Sequence, residues 1–239
     1  MFNPTVAGIT LRATLGRRRA FLFAIPAVVL IVLTLVLRTS HPAGAAWQAH
    51  VLGDFGFSVL LPLTALIIGT GVLGAEIDDG SAVHLLATPV RRTEVIMTKF
   101  AVAAALTAVF AALPELIAGL IAPHSGKLAV ALFAGALAGA VIYAAVFVMA
   151  SVLTGRAIAL GLLYVLIWEG LLANLVGGAR ILSVAHYSLG VANGIDHDPS
   201  LGAGLTLTTS VVLGAVVTIG ALVLAARRLA AFAIKGETT

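Results

Sequence analysis

The sequence predicts an all-α membrane protein with six transmembrane helices in one transmembrane domain, residues 1–239. Of its 239 residues, 61% are hydrophobic and only 10% are charged, and the mean hydropathy is +1.13. A soluble domain carries about 25% charged residues, so this chain has too little polar surface to cover a fold in water. Because the bilayer offers the backbone no hydrogen-bond partner, we expect each apolar run to form a helix.

Six apolar runs approach the length of about 20 residues that a helix needs to cross a bilayer. In chain order they are Ala20–Leu37, Phe55–Leu73, Phe100–Ala122, Leu128–Leu153, Ala157–Gly177 and Gly204–Ala226. The first run is longer than the apolar core of a signal peptide, so we expect it to be retained. Pro26, Pro62 and Pro114 lie within the first three runs and are expected to bend them, since proline removes a backbone hydrogen bond.

The distribution of basic residues predicts that both termini are cytoplasmic, in a plasma-membrane protein. Eleven of the 14 lysines and arginines lie on the side of the membrane that holds the N-terminus, and three lie on the other side: Arg38, Lys127 and Arg180. Lysine and arginine are enriched in cytoplasmic loops. Ahead of the first run, Asn3–Arg19 has a helix-capping start and near-helical apolar spacing, so it is expected to lie as an amphipathic helix on the inner leaflet.

The segment Gly74–Lys99 between the second and third runs is predicted to be a structured cytoplasmic loop. Asp78, Asp79, Gly80 and Ser81 predict a turn followed by a short helix, with Asp79 or Ser81 as its cap. Leu85 and Leu86 contribute to an apolar face of that helix, and Pro89 ends it. An exposed apolar face on a cytoplasmic helix indicates a protein or membrane partner.

With this loop, the chain resembles the membrane subunit of an ABC-2 type ATP-binding-cassette exporter. The residues that carry the resemblance are Glu76, Gly80, Leu85, Leu86, Pro89, Arg91 and Lys99. The resemblance implies that Ser81–Thr88 is a coupling helix seated in an ATPase subunit. It also implies a complex of two permease copies, as a homodimer or with a related permease, and two ATPase subunits. The charges that would orient docking are Glu76, Asp78, Asp79, Arg91 and Arg92, each of which can equally be a solvated loop charge or a lipid-headgroup contact.

The chain has no recognisable nucleotide-binding loop. Its nearest approach, Ser125-Gly126-Lys127-Leu128, lacks the preceding glycine and the Ser or Thr that follows the lysine. ATP and Mg²⁺ are therefore expected on a partner ATPase, and this chain is expected to bind no cofactor and to have no catalytic residue.

Metal and nucleic-acid binding are both disfavoured. Five of the six histidines are predicted at or near the outer surface, where they are scattered, and the Asp196-His197-Asp198 triplet is the best candidate ligand set. We expect these to be solvated loop histidines and predict no metal site. The basic residues lie at helix ends rather than on one face, so the net charge of +4 does not indicate nucleic-acid binding.

Two carboxylates lie within the predicted spans. Glu115 follows Pro114 in the third span and Glu169 follows Trp168 in the fifth, each roughly 20–24 Å from the inner end at about 1.5 Å per residue. Intramembrane carboxylates usually face a cavity or a partner. Glu115, Trp168, Glu169 and Asn174 are therefore predicted to belong to the substrate path or a gate. A structural role, such as a hydrogen bond between a carboxyl group and Asn174, Tyr164 or a carbonyl freed by Pro114, is the alternative.

The resemblance implies two further features of the transport path. Spans two and five line a central pathway in this family, which favours Glu169 as a path residue. A re-entrant helical hairpin follows span five. Here Gly177-Gly178 and Ile181–Ala192 would form it, with Asn193-Gly194 as a turn, and it would act as an outer gate.

The apolar spans favour an amphipathic or lipid-like substrate, such as a drug, an antibiotic or a lipid, and the resemblance implies that a non-enzymatic permease exports it. An ATPase-independent secondary transporter or channel is the alternative, although such carriers usually show a broken helix near mid-membrane in each half. A membrane protease is disfavoured. No histidine lies mid-span, and Ser58, Ser151 and Ser210 lack the glycine context of a nucleophile.

Overall fold

The computed structural model describes residues 4–40, 46–78, 92–122, 126–197 and 204–236, and every regular element within these ranges is helical. We label the helices α1 to α8 in chain order. A short 3₁₀ turn, Gly177–Leu182, precedes α7. The helices are α1 (Pro4–Thr14), α2 (Arg17–Ser40), α3 (46–78), α4 (92–121), α5 (Gly126–Leu153), α6 (157–175), α7 (Val184–Ile195) and α8 (Leu207–Gly236).

Five of the described helical stretches are long and apolar enough to cross a membrane, which confirms a multi-pass helical protein. They are Phe21–Ser40, Ala49–Val72, Thr93–Ile121, Gly126–Leu153 and Leu207–Leu229. The apolar part of α6, Ala157–Leu172, is shorter, because the helix stops at Leu175 and Val176 is extended. The predicted count of six spans therefore stays a prediction for α6.

Three of the membrane helices contain π-helical segments, and two of these segments end just before a proline. In α3 the N–H of Leu61 donates to the carbonyl of Gly56, one residue before Pro62, and α4 repeats this arrangement before Pro114. A proline ring displaces the carbonyl four residues earlier, and the wider π turn keeps the preceding backbone groups bonded inside the bilayer. The segments are Ala49–Leu60, Ala108–Ala112 and Tyr164–Leu172.

Helix α5 lies at the centre of the bundle and packs against α3, α4, α6, α7 and α8. Gly135 and Gly139 are buried where α7 crosses it. A Cβ atom at Gly135 would lie 2.9 Å from the Cβ of Ala192, and one at Gly139 would overlap the side chain of Ser188. The two missing side chains allow the backbones of α5 and α7 to approach closely.

Helices α2 and α8 lie at the edge of the bundle. Only 22% of the most apolar 18-residue stretch of each helix is buried, against 61% for α5. Most of the apolar surface of α2 and α8 therefore faces lipid or another chain. We call the end of the bundle where residues 79–91 join α3 to α4 the loop end, and the opposite end, which carries α7, the distal end.

Helix α1 packs against α3 and α4 at the loop end, as an N-terminal helix separate from the first span. Thr10 and Thr14 are buried against the bundle, whereas Ile9 and Leu11 are exposed. A helix is present within the predicted segment, over Pro4–Thr14, and its amphipathic character and its placement on the inner leaflet stay predictions.

The helix α7 occupies the position of the expected hairpin after α6, but the predicted turn at Asn193-Gly194 is wrong. The helix continues through both residues to Ile195. A Cβ atom at Gly194 would lie 2.8 Å from the Cβ of Leu207, so the glycine is used for close packing against the start of α8.

We expect Gly139→Ala to lower the free energy of unfolding by about 1–3 kcal/mol, because the new methyl group has no space between α5 and α7. Gly71→Ala is the matched control: it also changes a helical glycine, but no atom lies within 4 Å of the added Cβ. It should be neutral or stabilise by about 0.5–1 kcal/mol. Thermal or denaturant unfolding in detergent measures both, and equal effects would contradict the close approach.

Candidate functional site

The buried carboxylate of Glu169 joins α6 to the start of α7. Its Oε1 accepts hydrogen bonds from the Val184 N–H at 2.9 Å and the Tyr164 hydroxyl at 2.8 Å. Its Oε2 accepts a hydrogen bond from the hydroxyl of Ser183. Glu169 is 1% exposed, so these donors replace water that the carboxylate has lost.

The local backbone explains why this carboxylate meets the end of a helix. Ser183 caps α7, and its Oγ accepts the N–H of His186 at 3.3 Å. The first N–H groups of a helix lack intrahelical partners and carry partial positive charge. Glu169 supplies both an acceptor and a negative charge at that point.

The π-helical segment of α6 brings Tyr164 and Glu169 together. The two residues are five positions apart, and in a regular α-helix with 3.6 residues per turn they would lie on different faces. Within Tyr164–Leu172 the backbone bonds run over five residues, so both side chains meet on the same side. The widened turn therefore supplies one of the three donors.

Trp168 makes a second connection between α6 and the segment that follows it. Its indole Nε1–H donates to the carbonyl of Leu182 at 3.1 Å. Consecutive residues of α6 thus bind consecutive parts of the 3₁₀ turn and of α7. Asn174, the fourth predicted path residue, lies in the last turn of α6, and its side chain falls outside what the structure describes.

All three tyrosines of the chain lie near Glu169. Tyr164 binds it directly, while Tyr143 of α5 and Tyr187 of α7 lie close enough to interact with its charge. The Tyr187 hydroxyl donates to the carbonyl of Ile181, and the Tyr143 ring stacks on Phe147 at 5.8 Å. Glu169 is therefore the meeting point of α5, α6 and α7. The hydrogen bond to Tyr164 is one of the structural alternatives that the sequence analysis named, whereas the nearby Tyr143 and Tyr187 were not predicted.

His186 is part of this cluster, and the prediction that it is a solvated loop histidine is wrong. It lies in the first turn of α7, is 4% exposed, and its Nδ1 lies 3.0 Å from the Oγ of Ser183. Burial lowers the pKa of His186, the positive charge of Arg180 lowers it further, and the carboxylate of Asp54 acts in the opposite direction. Asp54 is itself exposed and lies 3.0 Å from the Nδ1 of His50 at the distal end.

Comparison with known families identifies the chain. Residues 15–172 match the family described as ABC-2 family transporter protein, which is more than half of the sequence. The chain belongs to the ABC-2 transporter family. A comparison with curated proteins gives no match. The resemblance read from the sequence is confirmed, and this ABC-2 protein is a multi-pass membrane subunit of a transport system. The match ends at Leu172, the last residue of the π segment that holds Glu169, so Ser183 and Val184, which bind Glu169, lie beyond it.

Glu115, the second intramembrane carboxyl group of this ABC-2 protein, lies apart from the Glu169 hydrogen bonds. It is fully buried, and neither of its oxygens has a hydrogen-bond partner among the described residues. Its carboxyl group points at Gly56 in the π segment of α3, where a Cβ atom would overlap Oε1. Glu115 is thus enclosed between α3 and α4, and its predicted path role stays a prediction.

The predicted ATPase-coupling residues flank or lie within the connection 79–91. Glu76 and Asp78 fall in the last turn of α3 and Arg92 begins α4, and the structure describes their backbone but not their side chains. The others lie outside the described residues: Asp79, Gly80, Ser81, Leu85, Leu86, Pro89 and Arg91. Their docking role stays a prediction.

Lys99 is a structural link that the sequence reasoning missed. The sequence predicts Lys99 at the end of the cytoplasmic segment Gly74–Lys99. In the structure it is fully buried in α4, and its Nζ donates to the carbonyl of Val72 in α3 at 2.6 Å. The apolar residues Ile68, Ile96 and Val102 of the surrounding cluster pack in the same region. The sequence does contain a signal for this burial, because Lys99 directly precedes the long apolar run that starts at Phe100. A lysine is almost never fully buried unless it is paired, so burial at this position would have indicated an acceptor nearby.

We expect Ser183→Ala to destabilise the protein by about 1–3 kcal/mol, because it removes a helix cap and leaves a buried carboxylate oxygen without its donor. Thr206→Ala is the control, since Thr206 bonds the Thr209 N–H at the exposed start of α8 and should cost only about 0.5–1 kcal/mol. Unfolding in detergent and amide hydrogen exchange of α7 measure the difference. Equal losses would mean that the Glu169 contact contributes nothing.

Proposed function

We propose that this chain is the permease subunit of an ABC-2 exporter that moves an amphipathic or lipid-like substrate outward, powered by separate ATPase subunits. Membership of the ABC-2 transporter family carries this proposal. The absence of a phosphate-binding loop from the sequence supports an ATPase on another polypeptide, with ATP and Mg²⁺ bound there. The basic residues support a cytoplasmic loop end and an outer distal end.

In this proposal the connection 79–91 receives the motion of the ATPase. The loop starts from α3 and ends in α4, and these two helices pack against each other directly. The buried Lys99–Val72 hydrogen bond ties them together close to the loop. A displacement of the loop would therefore act on both helices, and the π segments that they carry at the distal end would move with them.

The Glu169 cluster supports a gate at the distal end. Trp168 and Glu169 hold the 3₁₀ turn and the start of α7 against α6 through hydrogen bonds that a modest separation would break. In the closed gate these polar groups are hydrogen-bonded to each other. In the open gate they would form hydrogen bonds to water or substrate instead. The proposed path runs beside α3 and α6, as the family resemblance implies.

The exposed apolar face of α6 supports a second permease copy or a related permease as partner. Leu166, Leu171 and Leu175 are 58%, 53% and 72% exposed. A face of this kind is stable in lipid and equally suited to a helix of a second chain. We therefore propose a complex of two permeases and two ATPase subunits in the plasma membrane.

We expect changing Leu85 and Leu86 together to Asp to weaken ATPase binding by about tenfold or more, since about 1.4 kcal/mol of lost apolar contact suffices for that factor. The matched control changes His84 and Thr88 to Asp, which adds the same charge on the other face of the predicted short helix. Pull-down and ATPase stimulation in reconstituted membranes measure the effect. Normal transport by the first variant would refute the coupling role.

We expect Lys99→Met to reduce transport per ATP hydrolysed by roughly 2- to 30-fold while the complex still assembles, because coupling along such contacts changes by about 0.5–2 kcal/mol. The unbranched methionine side chain fills most of the same space but lacks the donor to Val72. Lys127→Met, at the exposed start of α5, is the control. A parallel fall in ATP hydrolysis and transport would instead indicate loss of folded complex.

The decisive test of the whole proposal is whether transport depends on ATP. Vesicles containing the permease with its ATPase should move substrate only when ATP is present. Transport by the permease alone, driven by an ion or substrate gradient, would favour the secondary-transporter alternative.

A further inference from the structure

A continuous hydrogen-bonded chain leads from the buried carboxylate of Glu169 toward the distal surface. The Oγ of Ser183 donates to Oε2 of Glu169 and lies 3.0 Å from Nδ1 of His186. Ser183 is fully buried and His186 is 4% exposed. Beyond His186, the exposed Asp54 and His50 form a pair at the distal end, and Asp54 lies close enough to act on the charge of His186.

Counting donors and acceptors assigns the protons of Ser183 and His186 in this hydrogen-bonded series. The Ser183 hydroxyl gives its only proton to Glu169, and its Oγ already accepts the backbone N–H of His186. The contact between Oγ and the imidazole therefore needs a proton on Nδ1, so the neutral ring carries Nδ1–H and leaves Nε2 free of a proton. Each member of the chain then holds one transferable proton pointing toward Glu169.

We propose that His186 and Ser183 form a proton relay between the outer side of the membrane and the carboxylate of Glu169. A proton from outer water binds Nε2 of His186. The Nδ1–H bond then breaks as its proton moves to Oγ of Ser183, while the Oγ–H proton moves to Oε2. The net result is a protonated Glu169, a neutral His186 with its proton on Nε2, and an unchanged serine hydroxyl. Reversal of these steps, in which Oε2 returns its proton to Oγ, Oγ–H passes its proton to Nδ1 and Nε2 releases a proton to the outer water, restores the starting state.

The groups around this relay suit the task. Histidine titrates nearest to neutral pH and is the usual side chain of proton shuttles, and chains of Glu and His residues carry protons in membrane transporters. The described titratable or charged groups near the cluster come from five elements: Tyr143 of α5, Tyr164 of α6, Arg180 of the 3₁₀ turn, Tyr187 of α7, and His50 and Asp54 of α3.

Protonation has a structural consequence, which rests on the proposed gate role of Glu169. A neutral carboxyl group accepts a weaker hydrogen bond from the Val184 N–H and no longer complements the partial positive charge at the start of α7. The contact that holds α7 to α6 weakens. An acidic exterior would then favour the open gate.

The experiment follows the infrared absorption of the protonated carboxyl group after a rapid drop in pH, in the full chain reconstituted into lipid vesicles. The band that disappears in Glu169→Gln belongs to Glu169, which separates it from Glu115. We expect this band to grow after the pH drop in the unchanged protein. His186→Gln, which keeps a donor to Ser183 but cannot pass a proton, should slow that growth by about tenfold or more.

Further variants keep the test decisive. Ser183→Ala should slow protonation in the same way, and Ser183→Thr, which keeps a hydroxyl, should restore it. His197→Gln changes an exposed histidine beyond the end of α7 and should leave the rate unchanged. Helix content from circular dichroism shows which variants are folded. An unresponsive Glu169 band, or an unchanged rate in folded His186→Gln, would overturn the relay.

The infrared measurement needs neither an ATPase nor a substrate, so it fails or succeeds independently of the proposed exporter function. Transport assays at several outer pH values test the gate consequence separately.

Discussion

A buried carboxylate must find its hydrogen-bond donors within the protein, and in this chain that constraint holds the elements of the distal end together. Glu169 obtains its described donors from its own helix, from the cap of α7 and from the first N–H of α7. Ser183 and Val184 are buried and Tyr164 is half-buried, so separating α6 from α7 leaves buried polar groups without partners. The position of α7 over α5 follows, and the glycines of α5 make room for it.

The same constraint acts on the backbone of the membrane helices. Pro62 and Pro114 each remove one donor, and the structure responds with a widened turn ahead of the proline rather than a gap in the hydrogen bonding. The π segments of α3, α4 and α6 lie in the distal half of the bundle. The two buried carboxyl groups lie in or directly beside them, Glu169 within the segment of α6 and Glu115 just beyond that of α4.

The sequence predicted the helical class, the family and both buried carboxylates, because apolar run length and a charge inside such a run are local signals. The sequence did not predict features that depend on contacts between two different helices. His186 reads as a surface histidine and Lys99 as a loop charge, yet both are buried against residues from other positions in the chain. Asn193-Gly194 reads as a turn, and only the nearby Leu207 explains a glycine inside α7. The π turn of α6 could not be predicted from a proline, because α6 contains none.

That last difference matters for how the helices can move. The wide turns of α3 and α4 are pinned by their prolines, whereas nothing covalent fixes the wide turn of α6. An ordinary helical turn holds fewer residues, and one residue corresponds to about 100° of rotation. If the turn of α6 tightened, everything beyond it would swivel by that angle, and Glu169 would leave the cap of α7 and face a different neighbour. Helix α6 thus contains a wide turn about which its C-terminal part can rotate, whereas the prolines of α3 and α4 hold their wide turns in place.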